Sequence, residues 1–161
     1  MIKLSEPSFF GEELLLLKKS LKDRWVASNG KIVRKFEKKI HKFTTGKYNL
    51  GTINCTSALQ LAIRLLNPKK NEEIIVPSIT FIATVNSVTY NNCKPIFLDC
   101  DNHLLLDKKN FFSFLNDNTY FKNGFTYNKK TKKKILAVIV VNTVGNLFDV
   151  DSNFFNLCKK R

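Results

Sequence analysis

Hydroxyl and aromatic side chains stand at the starts of two predicted helices. One segment is Asn54-Cys55-Thr56-Ser57-Ala58-Leu59, and the other, residues 76–86, contains Thr80, Phe81 and Thr84. Each segment is typical of a turn that opens a helix just after a short strand, where backbone N–H groups can bind an anion. The first turn therefore predicts a phosphate site. The second places Phe81 between two hydroxyls at the end of the next strand, where open parallel sheets bind their ligands.

A flat aromatic ring beside an anion site suits a planar, phosphorylated ring such as pyridoxal phosphate. Each segment also has a simpler interpretation when it is taken alone. Thr56 can be an ordinary helix cap, since Ser and Thr are common there for that reason. Phe81 can be an ordinary core aromatic. The two segments together favour the ligand site.

The cysteines and histidines do not predict a metal site. No two cysteines have C-x-x-C spacing, and the two histidines do not form a pair; these residues are Cys55, Cys93, Cys100, Cys158, His41 and His103. In a reducing compartment we expect four free thiols. The N-terminus has Glu6 and Pro7 where a secretory signal would have its apolar region, and no apolar run is long enough to span a bilayer, so we expect a cytoplasmic protein without a membrane partner.

The net charge of +14 is carried almost entirely by lysine, since only four of the 27 basic residues are arginine. Proteins that read nucleic acids rely on arginine forks, so the charge favours general surface lysines and no nucleic-acid partner. A polyanion-binding protein stays as an alternative, which steeply salt-dependent binding would reveal. The densest run, Lys129–Lys134, is typical of a solvated loop.

The order of predicted elements indicates an α/β fold with a mostly parallel sheet flanked by helices. Two helices, near residues 12–21 and 31–45, form a predicted N-terminal helical segment over residues 1–47. A strand–helix alternation follows in a predicted cofactor-binding domain over residues 48–161. Its strands are predicted at 49–53, 73–76, 95–98 and 136–141, its helices at 56–66, 81–90 and 108–115, and residues 116–134 form a long excursion with room for a hairpin.

The ordered motifs resemble a known enzyme family. They are residues 4–7, 12–13, 24–30, 33, 36–37, 45–47, 54–59, 73–86 and 95–101. Together they resemble the N-terminal portion of the DegT/DnrJ/EryC1/StrS family, which comprises fold-type I, pyridoxal-phosphate-dependent sugar aminotransferases. The form of the phosphate turn and the insert that ends at Ile135 are most similar to the branch that makes amino sugars for legionaminic-acid-type nonulosonates.

The resemblance implies a pyridoxal-phosphate enzyme that moves an amino group from glutamate to a nucleotide-linked keto-sugar for cell-surface polysaccharides, working as a homodimer. By the resemblance, Cys55, Thr56 and Ser57 would bind the cofactor phosphate through backbone N–H groups and hydroxyls. Phe81 would stack on the pyridine ring, with Thr84 beside it. Residues 28–29, Ser28 and Asn29, would approach the substrate, although a plain turn explains them equally well.

Three residues depart from the family pattern. Cys55 stands where the family usually has glycine, and Asn142 and Asn146 stand where the resembled branch has histidines. Asparagine keeps hydrogen bonding but carries no charge near neutral pH. The family's Schiff-base lysine has no counterpart here, so we expect no catalytic residue in this chain and an N-terminal fragment that is inactive alone. A non-catalytic module that binds a phosphorylated ligand is the other alternative.

Overall fold

A computed structural model describes residues 6–25, 27–44 and 46–160. The motif residues Leu4, Ser5, Val26 and Thr45 lie outside the described residues. The chain divides into two compact units between Gly51 and Thr52. The predicted domain boundary was residue 47, and the assignment of the second unit as a cofactor-binding domain stays a prediction.

Among its described residues, the first unit contains two helices, α1 (Glu12–Lys22) and α2 (Lys31–Thr44). Glu12 and Glu13 lie in the first turn of α1 and lysines in its last turn, which complements the helix dipole. The Glu37 carboxylate of α2 accepts a hydrogen bond from the Gly51 N–H at 2.9 Å. This bond ties the end of the unit back to its second helix.

The second unit is built on one five-stranded sheet in the order β2-β1-β5-β4-β3. The strands β1, β2 and β5 are parallel to one another, whereas β3, β4 and β5 are antiparallel neighbours. The α/β prediction is therefore confirmed, with a sheet that is mixed. The strands are β1 (Glu73–Pro77), β2 (Lys94–Leu98), β3 (Thr119–Lys122), β4 (Phe125–Asn128) and β5 (Lys134–Val138).

Helices cover both faces of the sheet. They are α3 (Cys55–Leu65), α4 (Ile82–Tyr90), α5 (Lys108–Asp117) and α6 (Ser152–Lys160), and a single 3-10 turn spans Thr143–Gly145. Every residue of β1, the middle one of the three parallel strands, is buried. Ile74 and Val76 pack with Ile63 of α3 and Val88 of α4. Ile75 packs on the other face, in a cluster that includes Phe111, Leu115 and Phe154 of α5 and α6. An apolar run without alternation is what a strand buried on both faces requires.

The excursion at residues 116–134 contains a hairpin. Asn123 and Gly124 connect β3 to β4 and both have positive φ, 51° and 78°. Such a two-residue turn matches the twist of a hairpin, and Asn-Gly is its strongest sequence signal. The buried carboxylate of Glu73 on β1 accepts from the Asn128 side-chain amide of β4 at 3.0 Å, across the intervening strand β5.

The strand predicted at residues 49–53 is wrong, because these residues form no strand in the described structure. Tyr48, Leu50 and Ile53 are all exposed. The Gly51 N–H bonds the Glu37 side chain instead of a neighbouring strand. Short apolar runs have no strand identity without a ladder partner, and glycine weakens them further. Among the described residues, no helix is long and apolar enough to cross a bilayer.

Candidate functional site

The N-terminus of α3 presents unused hydrogen-bonding groups. Asn54 caps the helix, and its side-chain oxygen accepts from the Ser57 N–H at 2.9 Å. Within the described residues, the N–H groups of Cys55 and Thr56 have no acceptor, and the half-exposed hydroxyls of Thr56 and Ser57 have no partner. Asn54 is therefore the cap, and the interpretation of Thr56 as the cap is wrong. Two free amides and two free hydroxyls at a positive helix end are suited to a phosphate group.

Phe81 lies at the N-cap position of α4, in an extended conformation with φ −65° and ψ 138°. Its side chain is 78% exposed. The interpretation of Phe81 as a core residue is therefore wrong. An aromatic face this open is available for stacking on a planar ring.

Thr84 is in a different environment from Phe81. It is only 4% exposed, and its hydroxyl accepts a hydrogen bond from the Thr80 hydroxyl at 2.9 Å. Thr80 itself is half-buried and lies next to Phe81 in the turn. As folded, Thr84 supports the turn through Thr80, and direct contact of Thr84 with a cofactor stays a prediction.

The structure brings the two predicted segments onto neighbouring helices. α3 and α4 pack together on the same face of the sheet, where Ile63 and Val88 are buried beside Ile74 and Val76. The Asn91 side chain, at the C-terminal end of α4, donates to the Gln60 carbonyl of α3 at 3.0 Å. The phosphate-type turn of α3 and the aromatic turn of α4 therefore belong to one packed pair.

The predicted substrate residues Ser28 and Asn29 lie in the first unit. They are exposed, in the turn between α1 and α2. The Asn29 carbonyl accepts from the Arg34 guanidinium at 3.2 Å, which is the bond of an ordinary helix-start turn. Their role as substrate contacts stays a prediction.

Two further loops follow parallel strands at the carboxyl edge of the sheet. After β2, Asp101 holds a turn, because its carboxylate accepts from the N–H groups of His103 and Leu105 at 2.8 and 3.1 Å. After β5, the Asn142 side-chain oxygen accepts from the Phe148 N–H at 2.8 Å. Neither turn was expected from the sequence, although an Asp followed two residues later by a polar residue is a signal for the first.

The cysteine thiols are further candidate reactive groups, and they differ in exposure. Cys55 is exposed beside the free amides of α3, whereas Cys93 is buried. Burial, followed by the nearby Glu72 carboxylate, raises the pKa of the Cys93 thiol. Cys93 is therefore an inert core residue. No group of three or more potential metal ligands occurs within the part of the chain that the structure describes.

Comparison with known proteins finds relatives of this chain. A model of the DegT/DnrJ/EryC1/StrS aminotransferase family matches residues 8–160. The GDP-perosamine synthase of Escherichia coli O157:H7 is 37% identical over 101 residues, which are 63% of this chain and 28% of that protein. The GDP-perosamine synthase of Vibrio cholerae is 29% identical over 152 residues, 94% of this chain and 37% of that protein.

A similar fold occurs in solved structures. Helicobacter pylori PseC, an aminotransferase involved in the biosynthesis of pseudoaminic acid, superimposes with a TM-score of 0.79 over 98% of this chain and 38% of its own, at 24% identity. The matched parts thus cover 28–38% of the length of these relatives. At this identity the structural match shows the fold.

Proposed function

This chain belongs to the DegT/DnrJ/EryC1/StrS aminotransferase family, and from that premise we propose that it supplies the phosphate- and ring-binding part of a pyridoxal-phosphate site. The observation that carries the proposal is the pairing of two open half-sites on packed helices. The α3 turn offers the free N–H groups of Cys55 and Thr56, and the α4 turn offers the exposed ring of Phe81.

Each residue has a distinct task in the proposed site. The amides of Cys55 and Thr56 and the hydroxyls of Thr56 and Ser57 would hold the phosphate. Phe81 would lie against one face of the pyridine ring and exclude water from it. The bound cofactor supplies an electron sink, and these residues bind and orient it.

The relatives support one class of substrate. We infer a whole protein that transfers an amino group from glutamate to a nucleotide-linked keto-sugar, works as a homodimer and serves nonulosonate or cell-surface polysaccharide synthesis. The two GDP-perosamine synthases support a nucleotide-linked sugar. The legionaminic-acid branch is a finer proposal that rests on the form of the phosphate turn and the insert ending at Ile135.

The direct test is equilibrium binding of 4′-deoxypyridoxine 5′-phosphate to the 161-residue chain. This analogue has the ring and the phosphate of the cofactor but no aldehyde, so the many surface lysines cannot trap it. We expect it to bind, and we expect 4′-deoxypyridoxine without phosphate to bind at least about tenfold more weakly, since it loses charge-assisted bonds. Equal binding of the two compounds, or no binding, would contradict the proposal.

A salt series separates the proposed site from binding by general charge. If the lysine-rich surface as a whole captured the analogue, a single-stranded oligonucleotide would bind with a steep salt dependence and would compete with it. The proposed site predicts that competition comes from inorganic phosphate and not from the oligonucleotide.

A further inference from the structure

Four polar side chains form a continuous line along α4 and the turn before it. They are Thr80, Thr84, Ser87 and Asn91, whose spacing of four, three and four residues places them on one helix face. We call this line the polar stripe. Thr84, Ser87 and Asn91 are 4%, 0% and 4% exposed, so three of its four members are buried.

Hydrogen bonds join the members of the polar stripe. The Thr80 hydroxyl donates to the Thr84 hydroxyl at 2.9 Å, and the Ser87 hydroxyl donates to the Thr84 carbonyl at 2.7 Å. The Asn91 side-chain amide donates to the Ser87 carbonyl at 2.9 Å. The same amide also donates to the Gln60 carbonyl of α3 at 3.0 Å. The stripe therefore begins beside Phe81 and ends on the other helix of the proposed site.

Hydrogen bonds from buried polar side chains to the backbone of their own helix explain only part of the polar stripe. Serine and threonine often bond a carbonyl one turn earlier, which accounts for the Ser87 bond. The bond from Asn91 to Gln60 has a different consequence, because it joins two helices through residues that are 31 positions apart in the sequence. Apolar contacts such as Val88 on Ile63 tolerate small rotations, whereas a directional bond between two helices specifies one arrangement.

We propose that the polar stripe is a positioning device that fixes α4 against α3 and so sets where Phe81 lies relative to the free amides of Cys55 and Thr56. This inference rests on the proposed function. A phosphorylated ring must reach both half-sites at once, and small displacements of one half-site remove the contact. Asn91 is the positioning residue, because it alone in the stripe bonds the second helix.

The experiment compares two probes on the 161-residue chain and its Asn91→Leu variant. Inorganic phosphate reports on the α3 half-site alone, whereas 4′-deoxypyridoxine 5′-phosphate needs both half-sites. Leucine has the same branched set of four side-chain heavy atoms as asparagine but is apolar, so the variant loses both Asn91 bonds with little change in side-chain shape, and a thermal melt checks that it is folded. We expect phosphate affinity within about twofold of the parent, and analogue affinity lower by about tenfold, as for a weakened stacking contact.

Thr89→Val is the matched control. Thr89 lies on the exposed side of α4, and its hydroxyl donates to the Asn86 carbonyl at 3.0 Å, so this variant removes a side-chain bond of the same helix outside the stripe. We expect the ratio of the two affinities to be unchanged in the control. If Asn91→Leu does not fold, Asn91→Ala removes the same two bonds, to Ser87 and Gln60, without adding methyl groups and should shift the ratio in the same direction.

The outcomes are distinct. A parent chain that binds both probes, with an unchanged affinity ratio in the folded stripe variants, would overturn the positioning role alone. A parent chain that binds neither probe would overturn the proposed function and this inference with it. A shifted ratio in Thr89→Val as large as in Asn91→Leu would also overturn the inference, because the effect would then be general to α4.

Discussion

The side-chain amide of Asn146 donates to the main-chain carbonyl of His103 at 2.9 Å. Asn146 follows β5 and His103 follows β2, and these two strands lie on either side of β1 in the sheet. The bond therefore joins two loops at the carboxyl edge, on either side of the strand that leads to Phe81. Asn146 therefore joins the two loops through a neutral amide group, and this role does not require the charge of an imidazole.

Asn146→Ala should loosen both loops without unfolding the chain. Loss of one solvent-exposed hydrogen bond costs at most about 0.5–1.5 kcal/mol of the free energy of unfolding. Hydrogen exchange should speed up at the amides of Leu105 and Phe148 and stay unchanged on β1. Asn156→Ala, an exposed change on α6, is the control. Equal exchange in the two variants would show that the tie has no effect on the loops.

Substitutions at Thr56 and Asn54 should affect different properties: affinity for the cofactor analogue at Thr56, and thermal stability at Asn54. Thr56→Val removes a hydroxyl with no described partner, so analogue affinity should fall by roughly 1.5–3 kcal/mol while the thermal midpoint changes little. Asn54→Ala removes the cap of Ser57, so the free energy of unfolding should fall by about 1 kcal/mol. Titration and thermal melts of both variants test this. If Thr56→Val melts lower but binds as the parent does, Thr56 is structural.

Phe81→Ala should weaken the analogue and spare the fold. Stacking of a ring on an aromatic side chain contributes roughly 1–3 kcal/mol, so affinity for the analogue should fall by that amount and affinity for inorganic phosphate should not. Because the side chain is 78% exposed, the thermal midpoint should stay near that of the parent. Phe121→Ala, an exposed aromatic change on β3, is the control for both measurements.

The sequence predicted the strands whose local apolar pattern is matched by a neighbouring strand in the folded sheet. β1, β2 and β5 are short apolar runs separated by helices, and a parallel sheet follows from that alternation. The run at residues 49–53 has the same local pattern, yet it forms no strand, because strand pairing is a property of the partner as well as of the run. Asn123-Gly124 is a clear hairpin signal, so the positions of β3 and β4 could also have been predicted from the sequence.

The candidate site also has features that the sequence predicted and features that it did not. Turn chemistry predicted the open amides near Thr56 and the aromatic at Phe81, since both depend on residues close in sequence. The burial of Thr84 and the bond between Asn91 and Gln60 depend on how α4 packs on α3, which no single-segment pattern contains. The four, three, four spacing of the polar stripe was visible in the sequence, but polar residues at helical spacing usually indicate an exposed face.

Cysteine alkylation should map the phosphate turn. Cys55 is exposed and Cys93 is buried with a raised thiol pKa, so at neutral pH iodoacetamide should modify Cys55 much faster. Raising the pH increases the thiolate fraction, but burial still blocks Cys93 in the folded chain. The cofactor analogue should slow the modification of Cys55. As a control, Thr80→Ala, which lies outside the phosphate turn, should leave the modification rate of Cys55 in the absence of the analogue unchanged. Mass spectrometry of peptides measures both, and an unprotected Cys55 would contradict the site.

One ionic cluster connects α5 to the start of α6. The ammonium of Lys108 lies 2.6 Å from the Asp151 carboxylate and 3.1 Å from that of Asp149, over the face of Phe148. The hydrogen bond from Lys108, followed by that from the Phe154 N–H, lowers the pKa of Asp151. The bond to Asp151 in turn raises the pKa of Lys108.

The cluster predicts an acid-dependent loss of stability. Because the folded-state pKa of Asp151 is depressed, its contribution is fully present above the ordinary aspartate pKa and is lost as pH falls through the lowered folded-state pKa. Asp151→Asn keeps an oxygen to accept from the Phe154 N–H but removes the charge, so it should melt below the parent near neutral pH. That difference should shrink in acid and in high salt.

Asp149→Asn, at the longer and more exposed contact, should lower the midpoint less. Thermal melts across pH measure both, and a difference between Asp151→Asn and the parent that stays constant into strong acid would show that the charge of Asp151 contributes nothing.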